Sequence, residues 1–331
     1  MIKLNTIIEK DIWQSDDRIK RAREKIKGKI NRSLAHSKIK FDTQDLEHQI
    51  LFRMTTMTEK TAFQSIDKIF EEQKTIVLER MSMAKIPPDK LFQFGWQRGK
   101  EEWQMIWGKN KDILYCILKD KKGNILKKKE VIFKEITLEE EKRRLKDIIE
   151  NYHYIHCDRC DIQKGMMFGF YLRGHKIPFA IEEVEPCSLS RNYKKAILMI
   201  CDINYHTVCE LTRFYSVPNC PKNLVGILDK LVGRALRNKG YEFMTTAVMP
   251  AFAKTKATTI AGGIDNPIIA KKLQFEFFKR DDGKYELCVQ RKKDILKKET
   301  IKSKWELYPV IEMIKSLNNT KLENYIYYVE K

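Results

Sequence analysis

From Glu210 to Pro250 the chain spells a strand, a short loop, an amphipathic helix and a second strand, and no other stretch constrains the fold as tightly. Leu224, Ile227, Leu228, Leu231, Val232, Ala235 and Leu236 recur at three- and four-residue spacing, which makes one apolar stripe for packing on a sheet. Pro221 suits a first helical turn, with Asn219 or Cys220 as the cap before it. Arg234, Arg237 and Lys239 complement the dipole at the other end and Gly240 follows, so the helix should stop near Asn238. A helix joining two strands in this way is a crossover between parallel neighbours.

This unit resembles motif A of the GNAT (GCN5-related) acyltransferase superfamily, in which the helix N-terminus receives a cofactor pyrophosphate. The resemblance implies acyl-CoA as donor, with Lys222 and Asn223 at the helix entry as its contacts. The family's glycine-rich loop is replaced here by Val217-Pro218-Asn219-Cys220-Pro221-Lys222-Asn223, with no glycine before Gly226. Glu210-Leu211-Thr212-Arg213 followed by Pro221-Lys222-Asn223 is similar to one branch, the bacteriophage Mom DNA-modification proteins. That likeness spans roughly residues 140 to 290 and includes an upstream His153-Tyr154 pair. It implies a transferase acting on the adenine amino group in DNA, with His153, Tyr154, Arg213 and a hydroxyl at Thr245 or Thr246 as catalytic residues. The segment Ala253 to Asn266 departs from the branch in lacking its aromatic residue.

Chemistry supplies reasons for the same residues. A histidine titrates near neutral pH, so His153 can take a proton from an attacking amine, an effect worth about 10²–10⁴ in rate. Tyr154 can act as an acid or an orienting hydroxyl. Arg213 either fixes a carboxylate or phosphate by two parallel hydrogen bonds or pairs structurally with Glu210 or Asp202.

A formal net charge of +19 makes nucleic acid the natural partner. Lysine inflation by an AT-rich coding sequence is the competing explanation, but residues 18 to 40 hold ten Lys/Arg against the single acid Glu24. The segment 15 to 33 reads as a basic helix with Arg18, Lys20, Arg21, Arg23 and Lys25 as phosphate contacts and Ile19, Ile26 and Ile30 as a thin apolar face. A second, longer and more amphipathic helical segment is expected from about Thr43 to Met83, broken off by Pro87-Pro88. Trp96, Trp103 and Trp107 beside Arg98, Lys100 and Lys109 either stack bases or form a small core; of these, Trp96 and Arg98 are the expected nucleic-acid contacts.

Ile113 to Leu118 and Ile125 to Phe133 read as a hairpin around Asp120-Lys-Lys-Gly-Asn124. Thr137 opens a capping-box pattern for a helix from Leu138 to Asn151. His153, His156, Cys157 and Cys160 then follow closely, a spacing that can hold zinc, or iron with carboxylates, completed by His175 or Cys187; buried thiols beside a structural histidine are the alternative.

Strands are expected over 166–171, 176–184, 196–202, 208–215, 241–248 and 284–290, and 266–278 reads as a helix and turn. The resulting fold class is α+β: a GNAT-like mixed, mostly antiparallel sheet with flanking helices, plus an N-terminal helical region and a small β-hairpin region. The divisions expected are 1–88 basic and helical, 89–136 hairpin, 137–292 catalytic, and 293–331 a basic helical extension. Three functions fit: a DNA-modifying transferase; an N-acyltransferase on a small-molecule or protein amine; a non-catalytic nucleic-acid-binding protein with a metal-stabilised loop. Scattered cysteines and the lack of a long apolar run point to a cytoplasmic protein off the membrane, of undetermined oligomeric state.

Overall fold

The computed structural model describes residues 17–34, 43–55, 59–92, 94, 102–109, 113–153, 165–187, 204–218, 220–248, 276–279, 285–288 and 311–318. The strands are β1 (Glu102–Trp107), β2 (Leu114–Lys119), β3 (Ile125–Ile136), β4 (Met166–Leu172), β5 (Ala180–Pro186), β6 (Val208–Ser216), β7 (Phe243–Val248), β8 (Glu276–Lys279), β9 (Tyr285–Cys288) and β10 (Ile311–Ser316). Eight of them form one sheet in the order β1-β2-β3-β4-β5-β6-β7-β10. Every adjacent pair is antiparallel except β6 and β7. The α+β class with a mostly antiparallel sheet and flanking helices is therefore the architecture found.

Helix α6 (Glu139–Tyr152) and helix α7 (Leu224–Asn238) cover opposite faces of that sheet. Opposed residues of an antiparallel pair share a face, so Ile132 and Tyr171 lie on one side with Lys134, and Glu135 and Phe168 on the other with Phe133 and Phe170. Glu141 of α6 binds both Lys134 and Tyr171, and Lys239 at the end of α7 pairs with Glu135. Burial and the Glu141 carboxylate together push the Tyr171 hydroxyl far above its ordinary range.

Four helices precede the sheet: α1 (Asp17–Leu34), α2 (Thr43–Thr55), α3 (Glu59–Gln64) and α4 (Ile66–Met83), followed by one turn, α5 (Pro88–Leu91). The helical segment expected over Thr43–Met83 consists of α2, α3 and α4. α2 folds back on α4, which buries Leu46, Ile50, Ile69 and Phe70 where a continuous helix would leave them wet. Lys85 N–H donates to Asp147 and the Tyr152 hydroxyl to Ile86 O, so this region docks on α6.

Other expectations are corrected. β3 runs twelve residues and pairs with β4, so the expected hairpin region continues the same sheet. No side chain caps α6 at Leu138, and three glutamates in the first turn complement the dipole instead of the Thr137 box. α7 begins at Leu224 behind Asn223, not at Pro221. Lys222 is held extended, its N–H on Trp103 O at 2.8 Å and its carbonyl accepting from Met105 at 2.9 Å, so the loop after β6 closes against the far edge strand β1. β9 pairs only with β8, in a separate two-stranded sheet, and the place beside β7 belongs to β10, within the stretch expected to be helical. β8 likewise replaces part of the helix and turn expected over 266–278. The strand expected at 196–202 lies outside the described residues.

The β2–β3 turn is built on Asp120. Its carboxylate accepts from Lys122 N–H at 2.8 Å, from Asn124 N–H at 2.8 Å and from the Asn124 side chain at 2.9 Å. Gly123 takes φ +88° with open space where a Cβ would stand. The Asn124 hydrogen bonds are the main reason that the Asp120 carboxyl is held below its ordinary value of 3.8. A lowered folded value stabilises the turn above that ordinary value, and the contribution disappears as pH falls through the folded value. Asp120→Ala should accelerate amide hydrogen exchange at Lys122 and Asn124 while leaving β4 protected; unchanged exchange at those two amides would refute this account of the turn.

Candidate active site

Strands β6 and β7 pair from Val208 opposite Phe243 to Leu211 opposite Thr246, and no further. Beyond that point β6 stays with β5 and β7 stays with β10, so the two parallel strands part at their C-terminal ends. The divergence has a local cause. Glu183 of β5 opposes Arg213 while Val184 opposes Leu211, which leaves Thr212 as the extra residue of a bulge. Its hydroxyl lies 3.2 Å from both the carbonyl and the carboxylate of Glu183. Ligands in sheets with parallel strands commonly bind where such neighbours part.

Arg213 follows the bulge. Its guanidinium donates to Thr212 O at 2.5 Å, its Nε is buried without a partner, and no carboxylate among the described residues pairs with it. Neither Glu210 nor Glu183 pairs with it, and Asp202, the other expected structural partner, lies outside the described residues. A buried donor left unpaired costs about 1–3 kcal/mol, and a guanidinium presents a planar fork suited to carboxylate or phosphate.

Two acids that the sequence reading passed over border the same place. Glu182 and Glu183 are each 1% exposed in β5. Successive residues of a strand face opposite ways, so Glu182 shares the α7 side with Phe168 and Phe214, and Glu183 shares the α6 side with Met167 and Arg213. The signal was present: in a strand covered on both faces, two consecutive carboxylates cannot both reach water.

Thr245 and Thr246 are buried and donate to Cys209 O at 3.3 Å and Leu211 O at 3.0 Å. They stitch β7 to β6 just short of where the strands part. Lys222 directs its ammonium to Glu102, and its N–H donates to Trp103 O. Asn223 occupies the left-handed region at φ 65°, with no side-chain cap. The N–H groups of Asn223, Leu224, Val225 and Gly226 have no partner among the described residues. That first turn of α7, at the same end of the sheet as that parting, presents bare amides.

His153 closes α6, its N–H on Ile149 O at 3.0 Å and its side chain buried. It stands beside Tyr152, which is anchored to Ile86 and edge-on to Phe92, and no hydrogen bond or ion pair joins it to Arg213. Tyr154, His156, Cys157, Cys160, Trp96 and Arg98 lie outside the described residues. Among the described residues no three His, Cys, Asp or Glu side chains are placed to hold a metal ion. His175 precedes β5 and Cys187 follows it, so opposite ends of one strand separate the two candidates to complete a metal site.

The basic helix α1 is not a free arm. Ala22, Ile26 and Ile30 are buried, and burial pushes the Arg23 guanidinium down against the opposing pull of Glu47 in α2. Arg21 and Lys25 are exposed, the Lys25 ammonium 5.6 Å from the centre of the Phe63 ring. Arg18 and Lys20 lie on the same helix. Trp103 is buried and Trp107 packs against the same core, which favours the packing role for that pair. No helix among the described residues is long and apolar enough to cross a membrane.

No family model and no curated protein matches the chain. Among solved structures, an acetyltransferase of the GNAT family from Staphylococcus aureus Mu50 aligns with 57% of this chain and 99% of its own, at 11% identity and a TM-score of 0.29. A likeness of that size carries no functional weight, and the architecture rests on the strand order and register above.

Proposed function

We propose that the chain is a GNAT-like group transferase that moves an acyl or related group from an anionic donor to an amine of nucleic acid, most concretely the adenine amino group in DNA, as in Mom-like proteins. The observation that carries this reading is Arg213, a half-buried guanidinium with no acidic partner among the described residues, beside the place where β6 and β7 part. The four bare amides at the start of α7 suit one phosphate of a donor such as acyl-CoA. Pro218 and Pro221 lack an N–H, and the amides of Val217 and Lys222 are bonded elsewhere, so the donor's phosphate would sit on the helix rather than in a loop cradle. When bound, such a donor supplies an activated acyl carbonyl. Transfer would join the acceptor nitrogen to that carbon, release the donor's thiolate and send the amine's proton to a base. His153, Tyr154 and Glu183 are the residues proposed to receive or relay it. The charge of +19 supports a phosphate-rich acceptor, and an adenine must leave the stack to be reached.

Nucleoside mass spectrometry of DNA from cells expressing the protein tests this directly. A modified adenosine absent from vector controls is expected, and its mass names the transferred group. DNA that stays unmodified in cells and also after incubation of purified protein with acyl-CoA sinks the DNA reading. Release of free CoA with small amines in that second assay would assign a small-molecule acyltransferase.

A further inference from the structure

We infer that the N-terminal helical layer is a working part of the transfer site, because it fixes the end of α6 and so sets His153, with Tyr152 as the positioning residue. The inference rests on the reading of His153 as a residue that receives or relays the amine's proton. The end of α6 is poorly secured by its own sequence. Its last turn holds no basic side chain to complement the dipole, Glu150 stands there instead, and neither His153 nor Tyr154 is a glycine that could cap it. A helix end of that kind frays unless a contact from outside the helix holds it.

The segment 84 to 92 supplies that hold. The Tyr152 hydroxyl donates to Ile86 O at 2.6 Å, and its ring stands edge-on to Phe92 at 5.8 Å. Earlier on the same helix, the Asp147 carboxylate accepts from Lys85 N–H at 2.9 Å and from the Asn151 side chain at 3.1 Å. Tyr152 is 1% exposed. Burial, reinforced by the Asp147 and Asp89 carboxylates, holds its hydroxyl protonated far above the ordinary tyrosine range, so it stays a donor at physiological pH. The accepting carbonyl is constrained as well. A proline biases the residue before it toward extended backbone, and Pro87 and Pro88 do this to Ile86 and Pro87 in turn. Pro87 accordingly has ψ 156°, and α5 follows it and buries Leu91. The proline pair that ends the helical layer therefore makes a stiff strap, and its grip falls on the residue next to His153. His153 is itself buried, and its N–H donates to Ile149 O at 3.0 Å, so the same last turn places its backbone.

The experiment uses the full chain with Tyr152→Phe, which keeps the ring and removes only the hydroxyl. Tyr171→Phe is the matched control. It removes another buried hydroxyl bonded to α6, at Glu141 in the first turn, about 18 Å along the helix from His153. In Tyr152→Phe the His153 amide should exchange with solvent about tenfold faster, the factor that corresponds to about 1.4 kcal/mol, while the amides of β4 keep their wild-type rates. The NMR signals of the His153 imidazole should shift in the same variant, and transfer should lose about tenfold in kcat with KM unchanged. Tyr171→Phe should leave the His153 amide and imidazole as they are in wild type. Imidazole signals that stay in place in Tyr152→Phe, or that shift equally in both variants, overturn the inference. So does faster exchange spread evenly over α6 and β4, the result a merely stabilising tyrosine would give. The exchange and NMR readings need no turnover. A wild type without transfer activity therefore refutes the transferase reading, and these two readings still decide whether Tyr152 positions His153.

Discussion

Arg213→Ala should lower kcat/KM for transfer by roughly 30-fold to several thousand-fold, the range that corresponds to the about 2–5 kcal/mol lost when one member of a buried charged pair is truncated. The magnitude follows from what this side chain lacks. An arginine paired with a carboxylate would, on removal, strand that carboxylate and destabilise the fold. Among the described residues Arg213 has no such partner, and its bond there is to the neighbouring carbonyl of Thr212. Truncation therefore removes a cost to the empty protein, an unpaired buried Nε, while taking away the fork that holds the ligand. The thermal midpoint should move little as activity collapses. Arg213→Lys keeps the charge and loses the planar geometry, so it should restore only part of the rate. Wild-type turnover in Arg213→Ala, or a melting transition that drops in step with activity, would show the side chain to be structural.

How much of this was legible in the sequence depends on whether the deciding interaction is local. The end of α7 was readable, because Arg237, Asn238 and the left-handed Gly240 are local stop signals and Gly240 takes φ +91°. Its beginning was not, since Lys222 is held by Trp103 and Met105 on the opposite edge strand. The same distinction separates α6, found within a residue at each end, from the 43–83 segment, whose division is decided by α2 lying on α4. β10 shows the limit most plainly. Ile311, Met313 and Ile314 fit a helical period as well as a strand, and pairing with β7 selects the strand.

For the site, Arg213 could be named in advance because a guanidinium in a strand expected within the sheet needs a partner or a ligand. Only three-dimensional structure shows that Glu210 is not that partner. Thr245 and Thr246 were nominated as hydroxyls on the right strand, and their place there is to bond β6 carbonyls. Glu182 and Glu183 were missed because charged residues in a strand are read as solvent-facing, and that reading fails once helices cover both faces. The bulge at Thr212 has no composition of its own; it is defined by the register of β5 against β6.

Phe168→Ala should cost about 3–5 kcal/mol, the range for emptying a buried aromatic position. Phe168 is fully buried in β4, opposite Glu135 on one side and Glu182 on the other, and its ring stacks on Phe133 at 5.9 Å with 3° between planes. The sheet cannot collapse to fill the space, because backbone pairing on both sides fixes β4 and α7 is tied across the same face through Lys239 and Glu135. Out of a total stability of about 5–15 kcal/mol this is roughly a fifth or more, so the denaturant midpoint should fall with little change in slope. Phe168→Leu should recover much of the loss by keeping most of the volume. The functional consequence differs in kind from that of Arg213. Phe168 touches the site only through β5, which carries Glu183 to the bulge, so the activity of the variant should follow its folded fraction, with KM unchanged for the molecules that remain folded. A raised KM at full folding would mean instead that this stack sets the position of Glu183 and Arg213 and that core and site are coupled through β5.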